Sequence, residues 1–172
     1  GRDRRTVFTP FRPEVLGASN DDDGRVLLRR FEREAQATAA LSSPHTIRIY
    51  DFGMTDDGTF YYVMELLSGR DLESLVKEFG PIAANRAVML LRQACHSLAD
   101  AHARGMVHRD IKPANIYVCR MGLEYDFVKV LDFGLVKHQR DSEHAQTVLL
   151  TQPNVTTGTP AFIAPEMALG ET

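Results

Sequence analysis

Three polar side chains of the types that handle phosphate and metal fall within one eight-residue stretch, 108–115. Asp110 offers a carboxylate that can accept a hydrogen bond from an attacking hydroxyl, and Lys112 offers an ammonium group that neutralises phosphate charge. Asn115, five residues after Asp110, offers an amide oxygen, which is a ligand type suited to hard cations such as Mg²⁺. Because Pro113 has a fixed φ and no N–H, we expect it to stiffen the stretch and to prevent a helix there.

Two regular elements are predicted to hold this loop in place. An amphipathic pattern predicts a helix over about residues 84–104, and Gly105 is suited to its C-terminal cap. The predicted buried face consists of Val88, Leu91, Ala94, Cys95, Leu98 and Ala101. After the loop, residues 116–119 and 127–130 read as two short strands around a turn.

The remaining pattern predicts a small mixed α and β region before the long helix. A helical spacing of apolar residues from about residue 26 to 41 ends at Ser43-Pro44, and residues 47–50 and 59–66 are predicted to form a hairpin. A short helix is expected to start at Asp71. Residues 6–8 are consistent with a short strand, which Pro10 and Pro13 would keep from being a longer central one.

The composition is that of an ordinary soluble domain. The chain has 172 residues, which fits one domain or a piece of a larger one. Its net charge of −3 gives no reason to expect a nucleic-acid partner. No apolar run approaches the roughly 18 residues of a membrane span, and no signal peptide opens the chain. We therefore expect a cytoplasmic protein in which Cys95 and Cys119 are reduced thiols packed in a core.

The stretch 108–115 resembles the catalytic loop of protein kinases, H-R-D-x-x-x-x-N. Asp132-Phe133-Gly134 follows Asp110 by 22 residues, and Ala164-Pro165-Glu166 comes later, in the order that kinases show. The likeness runs from about residue 22 to the end and is strongest to the bacterial serine/threonine kinases of eukaryotic type. It implies an α+β, protein-kinase-like two-lobe fold that is incomplete. A small-lobe remnant would span about 1–63, a hinge 64–70, and a truncated large lobe 71–172.

The resemblance implies a catalytic role for each polar residue around the loop. Asp110 would be the base that orients the substrate hydroxyl, and Lys112 would stabilise the transferring phosphoryl group. Asn115 and Asp132 would hold Mg²⁺. Tyr117 would sit under the adenine of ATP, where it would either stack on the base or partly fill the pocket.

The resemblance also implies a nucleotide site at the hinge. The backbone of Glu65 and Leu67 would hydrogen-bond the adenine, and Met64 would be the gatekeeper. Glu34 would be the helix carboxylate that pairs with an ATP-binding lysine.

Further residues would recognise protein substrates and control activity. Arg109 would receive a phosphothreonine from the 135–158 segment, with Thr156 and Thr157 as first candidates and Thr151 next. Thr159 lies in Gly158-Thr159-Pro160, which resembles a substrate-docking loop and favours serine or threonine substrates.

The chain departs from the kinase pattern in three places. It contains no glycine-rich loop, and it ends shortly after Glu166. The best register puts Thr9 at the position of the ATP-binding lysine, and no lysine precedes Lys77. Two interpretations remain open: part of a working kinase that uses ATP, Mg²⁺ and protein substrates, or a degenerate kinase that serves as a binding or scaffolding module. The intact loop residues favour the first, and we expect little or no phosphotransfer by this chain alone.

Overall fold

The computed structural model describes residues 6–11, 29, 32–33, 35–55, 59–133, 162 and 164–165, with only the backbone of residues 8–11. These residues form two three-stranded antiparallel sheets, each accompanied by helical structure. The α+β class expected from the sequence is therefore present.

The first sheet contains β1 (Thr6–Phe11), β2 (Ile49–Met54) and β3 (Phe60–Glu65) in the order β1-β3-β2. β2 and β3 are antiparallel, so the predicted hairpin is confirmed. β1 is twice as long as the three residues expected and includes Pro10. Proline is tolerated there because β1 pairs with one neighbour only within the described chain, and an edge strand does not need every N–H.

Helical structure precedes the hairpin, as predicted. Residues 29, 32–33 and 35–39 are helical, and a turn at Ala40 ends the segment before Ser43-Pro44. Ala35 is fully buried and belongs to a small core with Ile49, Phe60 and Tyr62 of the sheet. This contact fixes the helical segment against one face of the first sheet.

The second sheet contains β4 (Gly69–Asp71), β5 (Ile116–Met121) and β6 (Glu124–Val130) in the order β4-β5-β6. The chain crosses from the first sheet to the second through residues 66–68. This crossing lies within the stretch predicted as a hinge, 64–70. The two predicted strands after the loop correspond to β5 and β6.

Two helices pack against the second sheet. In α1 (Leu72–Phe79) the Asp71 carboxylate accepts a hydrogen bond from the Ser74 N–H at 2.8 Å, which caps the helix as expected for aspartate. The long helix α2 (Ala84–Ala103) lies almost where the sequence predicts it. The main core joins both helices to the second sheet through Leu72, Leu75, Leu90, Ala94, Ala101, Ile116, Val118, Val128, Val130 and Phe133.

The buried face predicted for α2 is wrong, because the helix is rotated about its axis relative to the prediction. Ala94 and Ala101 are buried, but Val88 is 67% exposed, Leu91 is 49% exposed and Cys95 is exposed. The buried positions are instead Leu90, Ala94, Ser97 and Ala101. The reason is that apolar residues cover two neighbouring faces of α2, and only one faces the sheet. The expectation of a buried Cys95 is wrong for the same reason, whereas Cys119 is buried.

No helix among the described residues has both the length and the apolar character that a membrane crossing requires.

Candidate active site

The 108–115 loop follows the C-terminal end of α2. Gly105 has a φ of +73°, a left-handed conformation that glycine adopts without steric cost, and its N–H donates to His102 O at 2.9 Å. The Met106 N–H reaches back to Ala101 O at 2.9 Å. These bonds satisfy the last carbonyls of the helix, so the predicted cap at Gly105 is confirmed.

His108 ties the loop to the chain after β6. The side chain is 2% exposed, its Nε2 lies 2.8 Å from Leu131 O, and its Nδ1 lies 3.3 Å from the Asp110 N–H. A carbonyl partner for one nitrogen and an N–H partner for the other assign the proton to Nε2. Burial lowers the pKa of His108, which favours this neutral form. The ring also packs on Phe133 at a centroid distance of 4.6 Å. No role was predicted for His108 from its position in the sequence.

The three predicted loop residues come together around one carboxylate oxygen. Asn115 Nδ2 donates to Asp110 O at 2.9 Å and to Asp110 Oδ2 at 3.1 Å. Lys112 Nζ also lies 3.1 Å from Asp110 Oδ2. The carboxylate, the ammonium and the amide therefore share one small region, as their spacing predicts.

The loop contains one helical turn, which corrects the expectation for Pro113. Pro113–Asn115 forms a short 3₁₀ helix whose first residue is the proline. A proline is accepted at this position because its missing N–H needs no partner in the first turn. Asn115 is 6% exposed, its N–H donates to Lys112 O, and its carbonyl accepts from the Leu131 N–H, both at 2.9 Å. The turn therefore holds Asn115 between the loop and the segment that leads to Asp132.

Asp132 lies at the end of that segment in a left-handed conformation, with φ of 54°. Desolvation raises the pKa of its carboxyl, and the charge of Asp110 acts in the same direction while Lys112 opposes it. The residue nonetheless keeps an exposed surface. Arg109 is also left-handed, with φ of 62°, and is exposed. Such backbone conformations are costly and concentrate at functional sites.

The predicted hinge residues lie where the two sheets meet. Met64 packs against the small core of the first sheet, and Leu67 is half-buried in the crossing. The Glu65 N–H donates to Arg48 O at 3.0 Å. The Glu65 carboxylate forms an ion pair with Lys129 Nζ at 2.6 Å. The sequence reasoning missed this pair, although a lysine between Val128 and Val130 in an apolar strand was a signal.

Tyr117 stands beside this crossing. Its hydroxyl donates to Gly69 O at 2.7 Å, and it pairs in register with Asp71 of β4. Desolvation raises the pKa of the phenol. Gly69 allows β4 to approach β5 closely, since a Cβ at this position would lie 2.1 Å from Val118 O. The phenol ring is therefore held against the start of β4.

Several predicted site residues lie outside the described residues: Glu34, Thr151, Thr156, Thr157 and Thr159. The backbone of Thr9 pairs with Tyr62. Within the described chain, no group of three or more His, Cys, Asp or Glu side chains is placed to hold a metal ion.

Comparison with known proteins identifies the family. Residues 16–172 match the family described as "Protein kinase domain". The chain belongs to the protein kinase family. This kinase chain is 40% identical over 141 residues to the serine/threonine-protein kinase pkn3 of Myxococcus xanthus, covering 82% of the chain and 25% of the relative. It is also 40% identical over 146 residues to the serine/threonine-protein kinase PknB of Mycolicibacterium smegmatis, covering 83% and 22%. The chain thus spans a quarter or less of the length of these relatives.

A solved structure supports the fold. The crystal structure of Rad53 1-466 in complex with AMP-PNP is 32% identical in sequence, with a TM-score of 0.55. The match covers 61% of this kinase chain and 28% of the Rad53 chain. The α+β, protein-kinase-like fold expected from the resemblance is therefore confirmed.

Proposed function

We propose that this chain carries the catalytic loop of a serine/threonine protein kinase, which transfers the γ-phosphoryl group of ATP to serine or threonine hydroxyls of proteins. The observation that carries the proposal is the meeting of Lys112 and Asn115 at Asp110 Oδ2, each at 3.1 Å. A carboxylate base, a cation and an amide in one rigid loop are what phosphoryl transfer to a hydroxyl requires. The names of the bacterial relatives support the same activity.

In this proposal Asp110 orients the substrate hydroxyl and accepts its proton. Asn115 donates one hydrogen bond to the Asp110 carboxylate and one to its backbone oxygen, so that little reorganisation is needed when the substrate arrives. Lys112 is half-buried and already lies beside the carboxylate. Its ammonium is therefore placed to neutralise a phosphoryl group that approaches the same hydroxyl.

Asp132 and Asn115 are the residues proposed to hold Mg²⁺. The donor types fit, because Mg²⁺ takes oxygen ligands and commonly uses one or two protein groups together with phosphates and water. Desolvation raises the pKa of Asp132, and the charge of Asp110 adds to this shift. A bound divalent cation would act in the opposite direction and favour the ionised carboxylate. The metal would supply charge neutralisation on the phosphates.

We propose the crossing between the sheets as the adenine site. The backbone of Glu65 and Leu67 would hydrogen-bond the base, with Met64 beside it and Tyr117 beneath it. The fixed phenol ring of Tyr117 supports a role as a platform, since its hydroxyl is held by Gly69 O at 2.7 Å. Glu34 remains proposed as the helix carboxylate that would pair with an ATP-binding lysine.

Control and substrate recognition are proposed for residues around the loop and in the later segment. Arg109, which is exposed, is proposed to receive a phosphothreonine, for which Thr156, Thr157 and Thr151 are the candidates. Thr159 is proposed to lie in the loop that receives the protein substrate.

One observation favours a second candidate function, a degenerate kinase that binds partners without transferring phosphate. No lysine precedes Lys77, and the best register of the sequence on the kinase pattern would put Thr9 at the lysine position. Threonine carries no charge for the phosphates of ATP. For this reason we expect little phosphotransfer by this chain alone, even where nucleotide binds.

Thermal unfolding of this chain with and without Mg·ATP tests the site directly. A ligand that binds the folded state raises the transition temperature. We expect Mg·ATP to raise it in the parent and to raise it less in Asp132→Asn. Asp51→Asn is the matched control, because Asp51 is exposed on β2 and its Oδ1 accepts from the neighbouring Phe52 N–H.

The pattern of shifts separates the outcomes. Equal shifts in the parent and in Asp132→Asn would remove Asp132 from the nucleotide site, and no shift in the parent would reject nucleotide binding by this chain. Where binding is present, transfer of ³²P from γ-labelled ATP to a mixed serine/threonine substrate distinguishes a kinase from a binding module.

A further inference from the structure

A buried ion pair joins the two sheets next to the crossing at residues 66–68. Lys129 on β6 and Glu65 at the end of β3 have side chains that are only 6% and 14% exposed, and their charged atoms are 2.6 Å apart. They are separated by 64 residues in sequence. Such a pair is costly to desolvate and persists only where further hydrogen bonds satisfy both charges.

Those further bonds are present and all lead to one segment. Lys129 Nζ also donates to Thr46 O at 3.2 Å, and Glu65 Oε1 also accepts the Arg48 N–H at 2.9 Å. The same segment bridges to β6 through the Ile47 N–H, which donates to Val130 O at 3.0 Å. The pair is therefore the centre of a polar cluster that joins β3, the segment before β2, and β6. We call it the Lys129–Glu65 cluster.

The cluster lies between the two parts of the proposed nucleotide site. Glu65 is one of the residues whose backbone is proposed to bind adenine, and Lys129 precedes Asp132 by three residues on the same segment. Since the Glu65 side chain is bound to Lys129 and to the Arg48 N–H, the position of its backbone depends on both contacts.

We infer that Lys129 is a positioning residue for the adenine subsite, acting through Glu65. This inference rests on the proposed function, because it concerns the same nucleotide site. Lys129 does not contact the nucleotide in this scheme. It holds the Glu65 backbone at the distance from the β6 segment that allows base and phosphates to be bound together.

The test separates positioning from stability by replacing the pair with apolar residues. Lys129→Met/Glu65→Leu removes both charges while keeping similar volume, a type of change that is often neutral or stabilising. Dissociation constants are measured by calorimetry for Mg·ATP and for Mg·tripolyphosphate, which has no base to meet the hinge. Urea unfolding reports the stability of each variant. Arg86→Met is the matched control, since it also removes a cation from an ion pair, the Arg86–Asp126 pair.

We expect the double variant to unfold as cooperatively as the parent, to bind Mg·ATP roughly three- to tenfold more weakly, and to bind Mg·tripolyphosphate unchanged. Arg86→Met should leave both affinities at the parental value. If the double variant does not fold, Glu65→Gln decides, because it keeps an acceptor for both donors and removes only the charge. Since both contacts remain but are weaker, it should show a smaller loss than the double variant, still restricted to ATP.

Parental affinity for Mg·ATP in a folded variant overturns the inference, and so does an equal loss for both ligands. A parent protein that binds no Mg·ATP overturns the proposed function, and the inference with it. The two failures are distinguishable because failure of the proposed function is visible in the parent protein, whereas failure of the inference is visible only in the variants.

Discussion

Asn115 holds Asp110 through two hydrogen bonds from a single amide nitrogen, one to the backbone oxygen at 2.9 Å and one to Oδ2 at 3.1 Å. Asn115 is 6% exposed, so its amide nitrogen is largely shielded from bulk water. The loop conformation and the direction of the Asp110 carboxylate therefore depend on the same side chain.

Asn115→Ala should destabilise the fold and disorganise the loop together. Loss of the amide removes two bonds and leaves a buried acceptor at Asp110 O, so we expect the free energy of unfolding to fall by about 1–3 kcal/mol. Urea unfolding measures this change. Asn85→Ala is the control, because Asn85 is exposed at the start of α2 and its side chain accepts from the Arg86 N–H. Equal small effects of the two substitutions would contradict a special role for Asn115.

Arg86→Met should weaken the fold modestly and in a pH-dependent way. Arg86 donates two hydrogen bonds of 2.8 Å to the Asp126 carboxylate, and this contact lowers the pKa of Asp126. Both side chains are partly exposed, so we expect a loss of about 0.5–1 kcal/mol at neutral pH. Because the folded pKa of Asp126 is depressed, this stabilisation is present above the ordinary aspartate pKa of 3.8 and is lost as the pH falls through the lower folded value.

Urea unfolding of the parent and the variant should therefore give different free energies of unfolding at pH 7 and converging values in acid. A difference that persists below the folded pKa would show that packing, not charge, is responsible.

The proximity of Asp110, Lys112 and Asn115 could be predicted because they lie within six residues. Gly105 was predictable for a similar reason, since a helix end that turns left-handed favours glycine. The bonds from His108 and Asn115 to Leu131, which hold the loop in place, join residues far apart in sequence and were not predictable.

The buried face of α2 could not be predicted because long-range polar contacts select it. Val88 and Leu91 are as apolar as Leu90, and a count of apolar positions does not separate the two faces. In the observed rotation Gln93 faces β6, where its amide donates to Asp126 O at 2.9 Å and accepts from the Val128 N–H at 3.0 Å. The Lys129–Glu65 pair escaped prediction in the same way, because its partners are far apart in sequence.

His108 should make the stability of the protein fall on mild acidification. Burial lowers its pKa below the ordinary value of 6.5, so between the two values the unfolded chain binds a proton that the folded chain does not. Stability is therefore complete above pH 6.5 and declines as the pH falls toward the folded pKa, by at most about 1.4 kcal/mol per pH unit.

Chemical unfolding at pH 7.5, 6.5 and 5.5 checks this. His108→Gln, which keeps a donor for Leu131 O, should lose less stability than the parent between pH 6.5 and 5.5. His102→Gln removes an exposed histidine of the same helix–loop region and should retain the parental slope. Identical slopes in all three proteins would exclude His108 as the titrating group.

Gly69→Ala should disrupt the contact between β4 and β5. The added Cβ would lie 2.1 Å from Val118 O and 2.6 Å from Cys119 Cα, and backbone atoms cannot move aside as a flexible side chain can. The strands must separate, which would also strain the bond from the Tyr117 hydroxyl to Gly69 O. We expect a loss of about 2 kcal/mol or more, at the upper end for overpacking by one methyl group.

Thermal unfolding of Gly69→Ala, compared with the parent and with the control variant Gly122→Asn, measures this loss of stability. Gly122 has a φ of +64° with nothing within 4 Å of its Cβ position, and asparagine tolerates that conformation. The control should therefore stay close to the parent, while Gly69→Ala melts at a distinctly lower temperature. A Gly69→Ala protein as stable as the control would mean that β4 is not held against β5 as the geometry requires.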